Sequence, residues 1–241
     1  NRFIAKIEIN GKEETVHVKN TGRCAELLVP GAEVLVQKSE SAERKTGWDL
    51  IGVRKADRLI NMDSQVTNKV VQEWIEAGRW FKDVKVVRPE VTYKNSRFDL
   101  YVEYEEKKAF IEVKGVTLEE EGVVRFPDAP SERAVKHLKE LEAAVQDGYE
   151  AYVFFVVQMK GVRYFTPNRR THKEFADVLA EAAGNGVQVI AKDCFVTEDS
   201  IAIADEVPVV LTNPQLYEAP ELLVEWYRER KRNYSRREWK Q

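Results

Sequence analysis

Ser96-Arg97-Phe98-Asp99-Leu100-Tyr101-Val102 is followed shortly by Phe110-Ile111-Glu112-Val113-Lys114. Both stretches alternate polar and apolar side chains with the two-residue period of a half-buried strand. If they form a hairpin through Glu105-Glu106, residue 104 pairs with 107, 101 with 110 and 99 with 112. Asp99, Tyr101, Phe110, Glu112 and Lys114 then share one face, with Asp99 directly opposite Glu112. Facing carboxylates repel. Such a pair calls for a cation, a shared proton or the nearby ammonium of Lys114. An all-oxygen ligand set suits a hard divalent ion, Mg²⁺ or Mn²⁺, with phosphate oxygens as further partners. Lys114 is then placed to orient or deprotonate an attacking water. By spacing alone the same letters also describe a salt-bridge ladder on a half-exposed strand. Glu105-Glu106 is poor hairpin chemistry, which leaves the register open.

Upstream, residues 1–62 read as β. Phe3, Ala5, Ile7 and Ile9 alternate with polar partners, and Asn10-Gly11 is a strong hairpin signal. Thr15–Val18, Glu33–Val36 and Ile51–Val53 are further short strands, which together predict a small barrel or sandwich, read here as an OB-like β-barrel. The period changes near residue 63. Val66, Val70, Val71, Trp74 and Ile75 recur at helical spacing, with Asp63 or Thr67 as candidate N-cap and Gly78 as the stop. Strands follow at 84–91, 97–104 and 108–114. A helix beginning near Asp128 or Ser131 carries Ala134, Leu138, Leu141 and Val145 on one stripe. Tyr152–Val157 is a continuous apolar strand of the kind covered on both faces. A third helix at about 172–183 leads to strand Val187–Ala191. Residues 63–212 are therefore expected to form an α/β domain. Residues 213–241 are expected to add an amphipathic helix (Leu222, Leu223, Trp226, Tyr227), able to pack on its own domain or on a second copy as a homodimer, and a basic tail.

Composition supports a folded chain. Its 241 residues are 43% hydrophobic and 33% charged, with formal net charge −3. A chain of this length buries roughly 70–75% of its unfolded surface and needs no staple to fold. Two cysteines, Cys24 and Cys194, exclude a disulfide framework and suggest a reducing, cytoplasmic setting. Ala151–Val157, the longest apolar run, is too short to span a bilayer, so no membrane partner is expected. The charge is uneven: residues 228–241 hold seven basic and two acidic side chains, a distribution suited to phosphate or to a solvated helix end. His17 and His172 are isolated and give no zinc spacing. No Gly-rich phosphate loop or Gly-x-Ser-x-Gly elbow is present. Trp48, Trp74 and Trp80 read as core or interface residues. In the polar loop Asn20-Thr21-Gly22-Arg23, Arg23 is a candidate nucleic-acid contact.

An aspartate on one strand followed by Glu-x-Lys on the next resembles the PD-(D/E)XK nuclease superfamily. Within it, the wider sequence resembles the sugar fermentation stimulation protein A family. The resemblance is carried by Asn20-Thr21-Gly22, Glu90-Val91, Ser96-Arg97-Phe98-Asp99, Ile111-Glu112-Val113-Lys114-Gly115-Val116-Thr117-Leu118, Phe126-Pro127-Asp128-Ala129-Pro130-Ser131-Glu132-Arg133 and Lys136-His137-Leu138. It implies an N-terminal OB-like domain, a nuclease-like α/β domain and DNA as partner. It also implies metal-binding roles for Asp99 and Glu112 and a catalytic role for Lys114. A further acid is expected from the first helix, where Glu73 fits best as a third metal ligand, or from Glu90 on the strand before Asp99. Arg133 and His137, four residues apart on one helix, would grip phosphate. Arg97 is a further nucleic-acid contact, and Thr117 would help shape the site. Pro127-Asp128 has the look of the superfamily's Pro-Asp pair but follows Glu-x-Lys instead of preceding it, so it reads as a decoy. The expected function is DNA binding with divalent-metal-dependent phosphodiester hydrolysis. The alternative is a non-catalytic DNA-binding regulator of sugar-metabolism genes that keeps the nuclease fold.

Overall fold

Strand β7 (Ser96–Tyr104) and strand β8 (Lys107–Val116) adopt the register that brings the two acids together: Tyr104 lies opposite Lys107 and Tyr101 opposite Phe110. The turn is made with Glu105 at φ 48°, a conformation that the glutamate tolerates rather than favours. Packing, not turn chemistry, sets the pairing. Leu100, Val102, Ala109 and Ile111 are all fully buried, and a one-residue slip would turn them outward. The computed structural model describes residues 1–39 and 45–211.

Around this hairpin runs a six-stranded sheet in the order β14-β13-β11-β8-β7-β6, where β6 is Val84–Tyr93, β11 Glu150–Val157, β13 Gln188–Val196 and β14 Ile201–Glu206. The apolar β11 pairs in parallel with β8 and β13, as its run of buried side chains requires. Helix α1 (Val66–Glu76) covers one face through Val70, Val71 and Ile75, packed with Leu100, Ile111 and Phe154. Trp74 and Trp80 join that layer against Phe154, as core residues. Helices α2 (Glu132–Gln146) and α3 (Lys173–Gly184) cover the other face through Leu138, Leu141, Phe175 and Leu179. Ser131 caps α2 by accepting the Ala134 N–H at 3.3 Å. Neither Asp63 nor Thr67 caps α1. The helix starts after Gln65 with no side-chain cap. Asp63 instead accepts the Gln65 N–H at 2.8 Å and pairs with Lys19 at 2.7 Å, while the Thr67 hydroxyl donates to the Ser64 carbonyl.

The N-terminal strands β1 (Ile4–Ile9), β2 (Lys12–Val18), β3 (Glu33–Lys38), β4 (Trp48–Lys55) and β5 (Arg58–Asn61) form a separate sheet in the order β1-β2-β4-β3, with β5 on β4. Asn10 and Gly11, at φ 52° and 76°, make the predicted hairpin turn. Three short strands not anticipated from the sequence, β9 (Leu118–Glu120), β10 (Val123–Phe126) and β12 (Tyr164–Pro167), form a third sheet. The helix and basic tail expected at 213–241 lie outside the described residues. Among the described residues no helix is long and apolar enough to cross a membrane.

The two halves share one core: Val18, Leu27 and Leu50 from the N-terminal sheet pack in the same cluster as Val116, Val124 and Phe155. Polar ties cross the same seam. Gln158 donates to the Asn61 side chain at 2.8 Å and the Asp63 carbonyl at 2.9 Å. Buried Glu119 accepts from Lys55 at 2.8 Å and faces Arg58 at 2.7 Å. Burial alone would raise the Glu119 carboxyl, but Lys55, the Gly122 N–H and Arg58 outweigh it and hold it below the usual range. Its stabilising effect is therefore fully present above the unfolded value near 4.3 and is lost as pH falls through the depressed folded value. Glu119→Gln should lower stability at pH 7 by about 2–3 kcal/mol in urea unfolding, because two cations lose their buried partner. The difference from wild type should shrink below about pH 4; a variant equal to wild type at pH 7 contradicts the role.

Candidate active site

Asp99 sits where the β7–β8 ladder ends. The last ladder pair is Leu100 with Ile111, and beyond it the Asp99 carboxylate takes over from the backbone. Its Oδ2 accepts the Val113 N–H at 2.7 Å and its Oδ1 accepts the Asn68 Nδ2 at 2.8 Å. Asn68 is the third residue of α1, so the helix start and the strand pair position this one acid together. Burial, and then the charge of Glu112, push the Asp99 carboxyl above its ordinary value against the opposing pull of Lys114.

Glu112 is 2% exposed. Its Oε1 accepts from Lys114 Nζ and from His137 Nδ1. Burial favours the neutral acid, but Lys114 and His137 outweigh it and hold the carboxyl below its usual range, so the group is charged. Its second oxygen, Oε2, is buried with no hydrogen-bond partner. An anionic oxygen left bare in the interior is unfavourable unless something positive meets it.

His137 is buried against Phe98, with ring centroids 6.0 Å apart. Arg133 Nε lies 3.4 Å from its Nε2. Both ring nitrogens are thus engaged, Nδ1 with Glu112 and Nε2 with Arg133. The expectation that His137 grips phosphate is corrected: both ring nitrogens are engaged inside the protein, and its effect falls on Glu112. Arg133 itself is exposed and free to meet an anion.

These groups line a cavity of about 370 Å³ whose walls come from both domains. Asp99, Glu112, Lys114, Thr117, Arg125, Asp128 and Arg133 belong to the α/β domain, and Asn20, Thr21 and Gly22 to the N-terminal one. Thr117, buried at the end of β8, helps shape the wall. Asp128 has a structural role at this wall: its Oδ2 accepts the Cys24 N–H at 2.7 Å. A Cβ on Gly22 would lie 2.8 Å from the same oxygen, so glycine is what allows the loop to approach. Neither Asp128 nor Asn68 carries a spacing signal, since their partners are remote in sequence.

The proposed third acids are not brought to the site. Glu73 is 61% exposed on α1 and lies 3.8 Å from Lys69, because α1 turns Thr67, Val70, Val71 and Ile75 inward instead. Glu90 is 63% exposed on edge strand β6, at φ 55°, and pairs with Arg97 at 3.3 Å. Arg97 lies in a separate groove with Arg133. Arg23 is exposed on the N-terminal loop, outside the cavity lining. Glu132, His172 and Glu174 also bring ligand atoms within 4.8 Å of one another. There, however, His172 Nδ1 accepts the Ser131 N–H at 3.3 Å and its Nε2 faces Glu132 at 3.3 Å. Both ring nitrogens of His172 are therefore engaged within the protein.

Comparison with known proteins agrees with this architecture. Residues 65–200 match the family model described as the sugar fermentation stimulation protein RE domain, and residues 1–62 match the SfsA N-terminal OB domain. A sugar fermentation stimulation protein homolog of Clostridium beijerinckii is 63% identical over 88% of this chain and 93% of its own length. A homolog of Desulfitobacterium hafniense is 61% identical over 88% and 92%. The solved structure of Pyrococcus furiosus SfsA in complex with Ca²⁺ superposes with a TM-score of 0.80 at 26% identity, covering 87% of this chain and 91% of that one.

Facing acids make a stability prediction. In Asp99→Asn the carbonyl oxygen keeps the Val113 N–H, and Asn68 can turn its own oxygen toward the new amide. With the repulsion gone, the metal-free variant should melt a few degrees above wild type at pH 7, on the order of 1 kcal/mol. Because the Asp99 carboxyl is raised, this advantage is full above its folded value, fades as pH falls through that value, and is gone below the unfolded value of about 3.9. A melt several degrees below wild type at pH 7 would count against the geometry.

Proposed function

Because this chain belongs to the sugar fermentation stimulation protein family, with an N-terminal OB domain followed by an α/β domain, we propose that it is a divalent-metal-dependent phosphodiester hydrolase acting on nucleic acid, DNA above all. The observation that carries the reading is the buried, charged Glu112, whose Oε2 has no partner while Asp99 crowds it across the strand pair. That donor set fits a hard cation: two carboxylates, one with a bare oxygen, beside a cavity that opens to phosphate-sized ligands. The calcium bound by the Pyrococcus furiosus relative supports the same class of ion. Asp99 and Glu112 would hold the ion. Mg²⁺ or Mn²⁺ there would lower the pKa of a bound water and offset charge on the phosphoryl group in the transition state.

The chain's own residues supply the rest. Asn68 and the Val113 N–H fix the Asp99 carboxylate, so it needs no reorientation on binding. His137 and Lys114 both hold Glu112 Oε1, which leaves Oε2 as the ligand atom. The Lys114 ammonium, at the cavity wall, orients the attacking water and meets charge that develops on the phosphoryl oxygens. Arg133 reaches the same space and gives charge-assisted hydrogen bonds to a phosphate. The OB domain, whose Asn20–Gly22 loop forms part of the wall, presents the strand.

The test is cleavage of labelled single- and double-stranded DNA and RNA with Mg²⁺, Mn²⁺ or EDTA. Wild type should cut only with metal, and Asp99→Asn and Lys114→Met should each lose at least about 10²–10³-fold in rate. Cutting that persists in EDTA or in Asp99→Asn, or wild type that cuts no substrate with either metal, would overturn the reading.

A further inference from the structure

The segment that joins the two domains, residues 61–65, leads straight into α1, and one buried side chain holds it. Gln158, directly after β11, is fully buried. Its Nε2 donates to the Asn61 side chain and to the Asp63 carbonyl. Its own carbonyl accepts the Asn61 N–H at 2.9 Å, and its N–H donates to the Val116 carbonyl at 3.0 Å. Asn61 Oδ1 also accepts the Asp63 N–H at 3.0 Å. From the other side, Asn20 Nδ2 donates to the Met62 carbonyl at 3.1 Å and the Ser64 N–H to the Lys19 carbonyl at 2.9 Å. The segment is thus clamped between the end of the central sheet and the OB domain, just before the helical turn that carries Asn68.

The room for this clamp comes from Gly115, which follows Lys114 and lines the cavity. A Cβ there would collide with Gln158 Oε1 and lie 3.1 Å from Thr67 Cγ2. Thr67 is 2% exposed and precedes Asn68, so a side chain at 115 would push on the clamp or on the first turn of the helix. Gln158 Oε1 is buried with no hydrogen-bond partner among the described residues, a cost that an apolar side chain of the same size would avoid. What the amide contributes therefore lies in the two bonds that its nitrogen donates.

We propose that Gln158 and Gly115 are positioning residues for the cation site. Together they set the depth at which α1 begins, and with it the reach of Asn68 Nδ2 to Asp99 Oδ1. Gln158 acts through Asn68 and supplies no ligand atom. The proposal rests on the reading of Asp99 and Glu112 as ion ligands for its consequence, metal affinity, but the contact it concerns is present in the metal-free protein.

The experiment follows the Asn68 side-chain amide by NMR in the metal-free full chain, and Mn²⁺ affinity by titration, in Gln158→Met, Gly115→Ala and Glu119→Gln. Gln158→Met fills a similar volume and removes both donors. It should shift the Asn68 Nδ2 signals toward those of a free amide and weaken Mn²⁺ binding about tenfold, the low end of the loss typical when the partner of a metal ligand is disturbed. Gly115→Ala should act in the same direction, and Gln158→Met decides the question whatever Gly115→Ala does to folding. Glu119→Gln loosens the domain seam elsewhere and should leave both readouts at wild-type values. Unmoved Asn68 signals in Gln158→Met, signals moved equally by Glu119→Gln, or wild-type Mn²⁺ affinity retained by Gln158→Met would overturn the proposal. If the signals move only with Gln158 and Gly115 but wild type binds no Mn²⁺, the positioning role stands and the cation reading fails. If Mn²⁺ binds through Asp99 and the Asn68 signals do not move, the positioning role alone fails.

Discussion

The structure depends on a carboxylate that is charged where charge is disfavoured. Glu112 is sealed into the middle of a sheet covered on both faces, yet Lys114 and His137 keep it ionised by holding one of its two oxygens. A purely structural residue would have both oxygens satisfied, or would be apolar, since a well-packed hydrophobe is often as stabilising as a buried ion pair. Here the second oxygen is left bare beside another acid. Local instability of this kind, maintained by a rigid surround, is the ordinary signature of a ligand site.

The rigid surround comes from both domains. The Glu119 cluster, the Gln158 hydrogen bonds and the shared apolar core fix the OB domain against the α/β domain. Asp128 then draws the Asn20–Gly22 loop over the cavity through the Cys24 N–H. Two of the sequence segments that carry the family resemblance, 20–22 and 126–133, thus meet at one wall. The OB domain forms part of the cavity wall rather than an appendage to it.

Much of this was legible in the sequence because it follows from period and burial. The β7–β8 register came from alternation, and the fully buried β11 from its unbroken apolar run. The convergence of Asp99, Glu112 and Lys114 followed from that register even though Glu105-Glu106 argued against the turn. What was missed depended on direction or on distance along the chain. Glu73 was read as the helix's contribution, but the apolar stripe of α1 aims Asn68 at Asp99 and leaves Glu73 in solvent. Glu90 sits on an edge strand whose backbone turns it outward. His137 was correctly placed beside Arg133, but its burial depends on Phe98 and its role on Glu112, neither visible from helical spacing. Asp128 was set aside as a catalytic acid because it follows Glu-x-Lys; its tie to the Cys24 N–H, 104 residues away, carries no spacing signal. Strands β9, β10 and β12 are too short to show a period.

The central claim is that Asp99 and the bare Glu112 Oε2 together form a cation site. The most direct measurement is anomalous diffraction from crystals of the full chain soaked in Mn²⁺. The account predicts one strong manganese peak between the Asp99 and Glu112 carboxylates, absent in Glu112→Gln. A peak at Glu132, His172 and Glu174 instead, or no peak between the two acids at saturating metal, would contradict it.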